Sequence, residues 1–418
     1  MSKKIRIAVT IIAFIMSAIP RLAYADEVLT LEKSLSLAFE NNPRMIEARK
    51  NIDASKGDLI TARSLPNPEA EFEIGGLKKN DEGERKSNLD SFEIRQGFDP
   101  PGVRGLKNKI SKRQISIQEE SLKVVWSQVY AEIRETYSRI ILDKKRQELA
   151  NEKLNIMRQF LSRVQQQFQS GKALKNDLQR AKLELLDAEN VFLASEKEIK
   201  TDKAKLNLLL GHPMETLFEI EEELKEEELI LDLNKLTQAA LSKNPDIKMQ
   251  ELVLASKENN LSKEQLNRLP SPFIGFKRTN EDYDNDYAAV VGFSVPLWNL
   301  NQGEVKKAKA EKEAQDTKVE AVKREIAFGV FEAYLNAELA HRQFELQKKS
   351  LEEANELLHL ANLRYSEGEI NFLSFLDQVK AATETRVRYY EGLFNITKAI
   401  TELEKAVYMS VRQEGYLK

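Results

Sequence analysis

Apolar positions along this chain follow two different periods. In two long stretches they recur every three or four residues: Leu122, Val125, Val129, Ile133 and Tyr137 in one, Val319, Val322, Ile326, Val330 and Tyr334 in the other. That spacing lines them up on one stripe of a helix, as in rods packed against other rods. In shorter stretches apolar and polar residues alternate. Ala70, Phe72 and Ile74 alternate with Glu69, Glu71 and Glu73, and Phe92 and Ile94 with Ser91, Glu93 and Arg95. Further on, Ile274 and Phe276 precede a second alternating face made of Tyr287, Ala289, Val291, Phe293 and Val295. Period-two runs on either side of charged loops, at 78–88 and 281–286, predict β-hairpins with one apolar face.

Proline marks where helix is allowed. All 11 prolines fall outside the windows 102–212 and 297–418. A proline costs about 3 kcal/mol inside a helix, so these windows can hold uninterrupted helices. Each window is broken once in a polar setting by glycine, at Gly171 and Gly368. This predicts a long helix, a tight reversal and a second helix, at about 105–169 and 173–210, then at about 302–366 and 371–413. Hairpins are predicted at about 69–98 and 273–296. A helix over 105–169 is on the order of 100 Å long, more than a compact globule needs.

The two windows are one pattern written twice. Both stripes, their continuations Leu154, Met157, Leu161, Val164, Phe168 and Leu351, Ala354, Leu358, Ala361, Tyr365, and the two glycines keep a constant offset of 197. Upstream, Asn42-Pro43 matches Asn244-Pro245 at a different offset, so length changes are confined to connections. Duplication at this scale defines the organisation: repeat one over 26–211, an acidic segment over 212–234, and repeat two over 235–418. The fold class is mainly α with a small β part, built from duplicated coiled-coil hairpins and four strands.

The first 25 residues read as a secretory signal. Lys3, Lys4 and Arg6 precede an apolar run over 7–19, and Ala23-Tyr24-Ala25 gives a cleavage pattern before Asp26. Losing this segment takes the formal charge from −3 to −7, which does not suit a nucleic-acid partner. Beyond it no apolar run reaches the roughly 20 residues of a spanning helix, which excludes a multi-span pump. With secretion and one-faced hairpins together, the strands read as part of a transmembrane barrel. Four strands cannot close alone in hydrocarbon, because open edges would leave backbone groups unpaired, so copies must join.

Several chemistries are missing. The chain has no cysteine, and His212, His341 and His359 have no ligand partner at metal-site spacing. There is no phosphate-cradling glycine loop, so no cofactor or nucleotide is expected, nor is an enzyme. The run Glu221, Glu222, Glu223, Glu226, Glu227 and Glu228 reads as a solvated linker.

With this duplicated order, the chain resembles the TolC family of outer-membrane efflux ducts. Ala38-Phe39-Glu40-Asn41-Asn42-Pro43, the stretch from Leu206 to Pro213 and the Tyr365-to-Gly368 turn add to the likeness. Leu65-Pro66-Asn67-Pro68-Glu69 and Pro101-Gly102-Val103-Arg104-Gly105 are more similar to its cobalt–zinc–cadmium (CzcC) branch. The resemblance implies a homotrimer with twelve strands in one barrel in outer-membrane lipid, and an α-barrel in the periplasm. It also implies a periplasmic adaptor and an inner-membrane pump as partners, with divalent metal as cargo. Drug export and protein secretion stay open on the same fold. The adaptor-contacting tips would be Gly171, Lys172 and Ala173 with Gly368, Glu369, Ile370 and Asn371. Gate acids of the family follow the second turn. Asp377 occupies one such position, Ser374 stands at the other, Asp177 is the acid of repeat one, and Arg180 is the counterpart of Asp377. The gate is then held by fewer carboxylates or by an Asp377–Arg180 pair. A pore-free periplasmic scaffold would explain the helices but not the hairpins. An adaptor would carry one helical hairpin rather than two.

Overall fold

The computed structural model describes residues 28–74, 77–79, 85–87, 89–220, 224–226, 231–281 and 284–411. The signal segment, most of the acidic run and the last seven residues lie outside this set. In chain order the elements are α1 (Leu31–Asn41), α2 (Pro43–Arg63), β1 (Glu69–Ile74), β2 (Leu77–Lys79), β3 (Arg85–Ser87), β4 (Leu89–Gly97), α3 (Val103–Gln169) and α4 (Lys175–Leu210). The second series is α5 (Leu233–Lys243), α6 (Pro245–Leu266), β5 (Ser271–Glu281), β6 (Asp284–Ser294), α7 (Gln302–Ser366) and α8 (Phe372–Val407).

Each repeat opens with two helices split at Asn-Pro, where the proline takes the first helical position and needs no partner for a missing N–H. Asn244 closes α5 and its side chain accepts from the Asp246 N–H at 2.8 Å to open α6. Its counterpart Asn42 instead donates from Nδ2 to the Leu209 carbonyl at 2.7 Å, tying the end of α1 to the end of α4. The charged segment expected as a bare loop at 78–88 carries the short antiparallel ribbon β2–β3, in register Lys78↔Lys86. Pairing that starts in β1 and β4 thus resumes beyond the main sheet.

Four strands form one antiparallel sheet in the order β1-β4-β5-β6. Its β4–β5 pair, in register Ile94↔Phe276, joins the hairpins of the two repeats.

The chain divides into two compact units. One takes in residues up to Asn42, Glu132–Glu226 and Gln347–Phe394. Its core includes Leu154, Met157, Ala188 and Leu376, with Val164, Ala181, Ala361 and Val379. Tyr137 is buried on α3 and donates to the Leu29 carbonyl at 2.8 Å, while Leu29 donates to the Glu219 carbonyl at 2.8 Å. The Glu219 carboxylate receives Lys203 at 2.8 Å and Lys144 at 3.0 Å. The hydrogen bond from Lys203, with that from Lys144, holds this carboxyl below its usual range against the opposing effect of burial. The other unit holds Pro43–Ala131, Glu227–Leu346 and the residues from Asn395 onward. There Leu236 and Ala240 of α5 pack on Val330, Ala333 and Ala337 of α7 and on Leu403 and Val407 of α8.

The duplication extends to helix ends. α4 stops at Gly211, in the left-handed region at φ 73°, and His212 donates back to Asn207 at 2.9 Å. At the same offset of 197, α8 stops at Val407 rather than running to 413. Tyr408 takes φ 54° and Met409 donates to Glu404 at 3.2 Å. The backbone turn is kept where the glycine is not. A Cβ on Gly211 would lie 2.5 Å from the Asn41 carbonyl oxygen, whereas one on Gly171 meets nothing within 4 Å. Gly171→Ala should therefore cost only the left-handed backbone penalty, about 1–2 kcal/mol. Gly211→Ala should add roughly 1–3 kcal/mol of overpacking, read as a larger drop in thermal midpoint.

Candidate functional site

Two regions present groups that a duct would use, and each lies within one compact unit. The first is the sheet. Its faces divide by the two-residue period: Phe72, Ile74, Ile94, Ile274, Phe276, Tyr287, Val291 and Phe293 point one way and are all exposed. Ile74 and Val291 are 84% and 80% exposed, so among the described residues nothing covers this side there. Phe72 and Phe92 lie ring to ring at 4.8 Å across β1 and β4, and Phe276 and Tyr287 at 6.0 Å across β5 and β6. Just past β6, Leu297 and Trp298 are also bare. Strands of 11 residues, as in β5 and β6, suit the hydrocarbon thickness of a bilayer.

The opposite face carries a row of charged residues. Glu69, Glu71 and Glu73 stand along β1, with Ser91, Glu93 and Arg95 facing them on β4. Lys277 on β5 lies opposite Glu93, and Asp286 on β6 opposite Thr279. Arg95 pairs with Glu93 at 2.7 Å, and Ser91 donates to Glu73 at 3.1 Å. Carboxylates outnumber cations on this side. On the same face Gly292 leaves room for the Phe273 ring, which a Cβ would meet at 2.5 Å.

The second region is the pair of reversals, α3 to α4 and α7 to α8. Both glycines are left-handed, at φ 75° for Gly171 and 77° for Gly368. Lys172 donates to Gln167 at 2.8 Å, and its counterpart Glu369 to Arg364 at 2.9 Å. The helices that follow start with complementary halves of one cap. In repeat one the Asp177 carboxylate reaches back to accept the Leu174 N–H at 3.1 Å. In repeat two Asn371 accepts the Ser374 N–H at 2.9 Å through its side chain. Asp177 corresponds to Ser374 and Leu174 to Asn371, so acceptor and donor have exchanged places.

Of the residues singled out from sequence, Lys172, Ala173, Asp177, Arg180 and Asn371 line one groove of about 340 Å³ together with Phe372. Asp377 is exposed on α8 and Arg180 is exposed on α4. Among the described residues no ion pair joins them. The structure adds what sequence reading missed. Phe372 stacks face to face on Phe160 of α3 and sits edge-on to Tyr365, and Phe375 stacks on Tyr365 at 4.6 Å. Arg163 lies 6.0 Å from the Tyr365 ring. These rings join the two hairpins through the first turn of α8. The repeat-one counterpart of Phe372 is Lys175, so the duplicated pattern gave no sign of it. Ion pairs continue the joint: Lys380 with Glu184 at 2.8 Å, Arg386 with Glu152 at 2.6 Å and Arg146 with Glu391 at 2.5 Å. Among the described residues, no group of three or more His, Asp or Glu could hold a metal ion.

The sequence matches the family described as outer membrane efflux protein over residues 34–212 and 236–407, in two segments that follow the duplication. The chain belongs to that family. It is therefore an outer-membrane efflux duct, located in the outer membrane and extending into the periplasm, and its family is one of channels rather than enzymes. The efflux protein is 22% identical to the cobalt-zinc-cadmium resistance protein CzcC of Cupriavidus metallidurans, over 90% of this chain and 89% of that one. Its fold is similar to that of the Campylobacter jejuni CmeC outer membrane channel. The TM-score is 0.78 at 15% identity, covering 92% of this chain and 90% of that one. Crystal structures of CusC, concerned with folding and transmembrane channel formation, match with a TM-score of 0.76 at 16% identity, over 93% and 95% of the two chains.

The caps lend themselves to a direct check. Asp177→Ala and Asn371→Ala should each cost about 1 kcal/mol. The loss should appear in hydrogen exchange as faster opening confined to the first turn of α4 or of α8 respectively. Phe372→Ala, by emptying the shared ring cluster, should cost about 3 kcal/mol and speed exchange in both hairpins at once.

Proposed function

We propose that three copies of this chain close into one exit duct for divalent heavy-metal cations, working with a periplasmic adaptor and an inner-membrane pump. The observation that carries this reading is the two-faced sheet. One face is bare and apolar, suited to lipid. The other bears Glu69, Glu71, Glu73, Glu93 and Asp286 against Arg95 and Lys277. β1 and β6 stand at the two edges of the sheet, and joining β1 of one copy to β6 of the next would pair both edges. Three copies give twelve strands and triple the excess of inward carboxylates, a ring that favours cations. Exposed leucines on the long helices support closure between copies as well. Leu183, Leu186 and Leu193 stripe α4, and Leu357, Leu360 and Leu363 lie on α7, all exposed. Cobalt, zinc and cadmium are suggested as cargo by the likeness to the cobalt-zinc-cadmium resistance protein CzcC. The chain itself does no chemistry in this reading; it lowers the barrier to crossing, while pump and adaptor supply energy and choice.

In planar bilayers with a salt gradient, the reversal potential should show preference for cations. Glu71→Gln with Glu93→Gln should shift it towards zero without lowering the fraction of trimer. An anion-selective pore, or a preference unmoved by the double variant, would count against the acidic exit. In cells, loss of the protein should lower tolerance of cobalt, zinc or cadmium; a loss confined to organic drugs would reassign the cargo.

At the turns, Gly171, Lys172, Ala173, Gly368, Glu369, Ile370 and Asn371 form the surface offered to the adaptor. Asp377 supplies the charged ring of the resting gate, with Arg180 as its counterpart between copies. Asp177 and Ser374 serve this gate by fixing the first turns of α4 and α8. Asp377→Asn and Arg180→Ala, singly and together, should raise resting conductance, with the double variant no greater than the larger single effect. Unchanged conductance in all three removes the pair from the gate.

A further inference from the structure

Away from the reversals, two buried acids on α3 and α4 approach each other. Asp143 on α3 has a side chain only 4% exposed, and Asp202 on α4 is also buried. The Asp143 carboxyl lies within hydrogen-bonding reach of Asp202, yet among the described residues no ordinary donor reaches its Oδ2. Two carboxylates are both acceptors, so contact between them holds only if a proton sits between.

The surrounding charges do not replace that proton. On α3, Arg146 reaches Asp143 Oδ1 at a long 3.4 Å and directs another nitrogen to Glu391 of α8 at 2.5 Å. Arg139, also on α3, pairs with Glu135 at 2.7 Å and lies 4.8 Å from the Phe394 ring of α8. Lys144 and Lys203, the next residues along from the two acids, turn to the connecting segment. They share the Glu219 carboxylate and bind the carbonyls of Ile220 and Phe218 at 2.6 and 2.9 Å. The clamp on that segment thus needs α3 and α4 held side by side at this level.

Repeat two supplies a control within the molecule. At the constant offset, Asp143 corresponds to Ala340 and Asp202 to Ala399. The same helix pairing is therefore made without acids, so packing alone does not call for them.

We propose that Asp143 keeps its proton and donates it to Asp202, forming a pH-operated latch that keeps α3 against α4 and the segment around Glu219 in its clamp. Burial, then the neighbouring Asp202, pushes the Asp143 carboxyl up to about 7. A carboxyl raised in the folded state contributes stability at low pH and loses it as pH rises through that value, so the latch is shut in acid and released above neutrality.

The chain has no cysteine, so spin labels can be placed at Glu148→Cys on α3 and Lys197→Cys on α4 in the full-length, lipid-reconstituted protein. The expected result is a longer, broader label distance above a midpoint higher than about pH 6, clear of the ordinary carboxylate range. Over the same range the infrared band of a protonated carboxyl should disappear. Both changes should vanish in Asp143→Asn, and in Asp143→Ala with Asp202→Ala, which copies repeat two and so keeps the fold. A midpoint below about pH 6, an infrared titration with no change in distance, or a transition that survives in the variants would overturn the latch.

Discussion

Everything in this molecule answers to one constraint: in hydrocarbon, a backbone N–H or C=O without a partner costs several kcal/mol, and no water is there to supply one. The sheet has a bare apolar face and two edge strands, β1 and β6, and among the described residues no helix is long and apolar enough to cross a membrane. In the proposed assembly, this sheet pairs its two edges with those of other copies. Closure then decides the rest. In that proposed closure the acid-rich face of the sheet turns inward and single carboxylates become rings.

Duplication answers the same constraint at the level of the gene product. A repeat with one hairpin would offer two strands, and the β4–β5 ladder between repeats doubles this without a new interface. The helices inherit the same economy. The constant offset of 197 keeps both hairpins equal in length, and at the turns even hydrogen bonds are copied, as Lys172 to Gln167 and Glu369 to Arg364. Where the copies differ, the difference is informative. Capping roles have swapped between Asp177 and Asn371, Gly211 has given way to Tyr408 in the same backbone conformation, and the acids Asp143 and Asp202 have alanine counterparts.

Much of the fold was legible from the chain because it is written in period and punctuation. Proline-free windows, helical stripes and Gly171 and Gly368 locate the long helices to within a few residues, and alternation around Phe72, Phe92, Phe276 and Val291 locates the strands. The end of α8 was not legible, since Tyr408 carries no signal for a left-handed turn. The β2–β3 ribbon was hidden by its charges. At the turns, chain position brought out Asp177, Arg180 and Asn371, which do share a groove. The Phe160, Tyr365, Phe372 and Phe375 cluster and the Lys380–Glu184 pair were missed, because contacts between hairpins leave no trace in the periodicity of either one.

The central claim is closure of the sheet edge to edge between copies. Single cysteines scanned along β1, each combined with single cysteines along β6 in the otherwise cysteine-free chain, can be oxidised in intact outer membranes. One register of pairs should yield covalent dimers and trimers, with no higher ladder, and β1–β1 and β6–β6 pairs should yield none. Cross-links only within a single chain, or a ladder running past three, would contradict it.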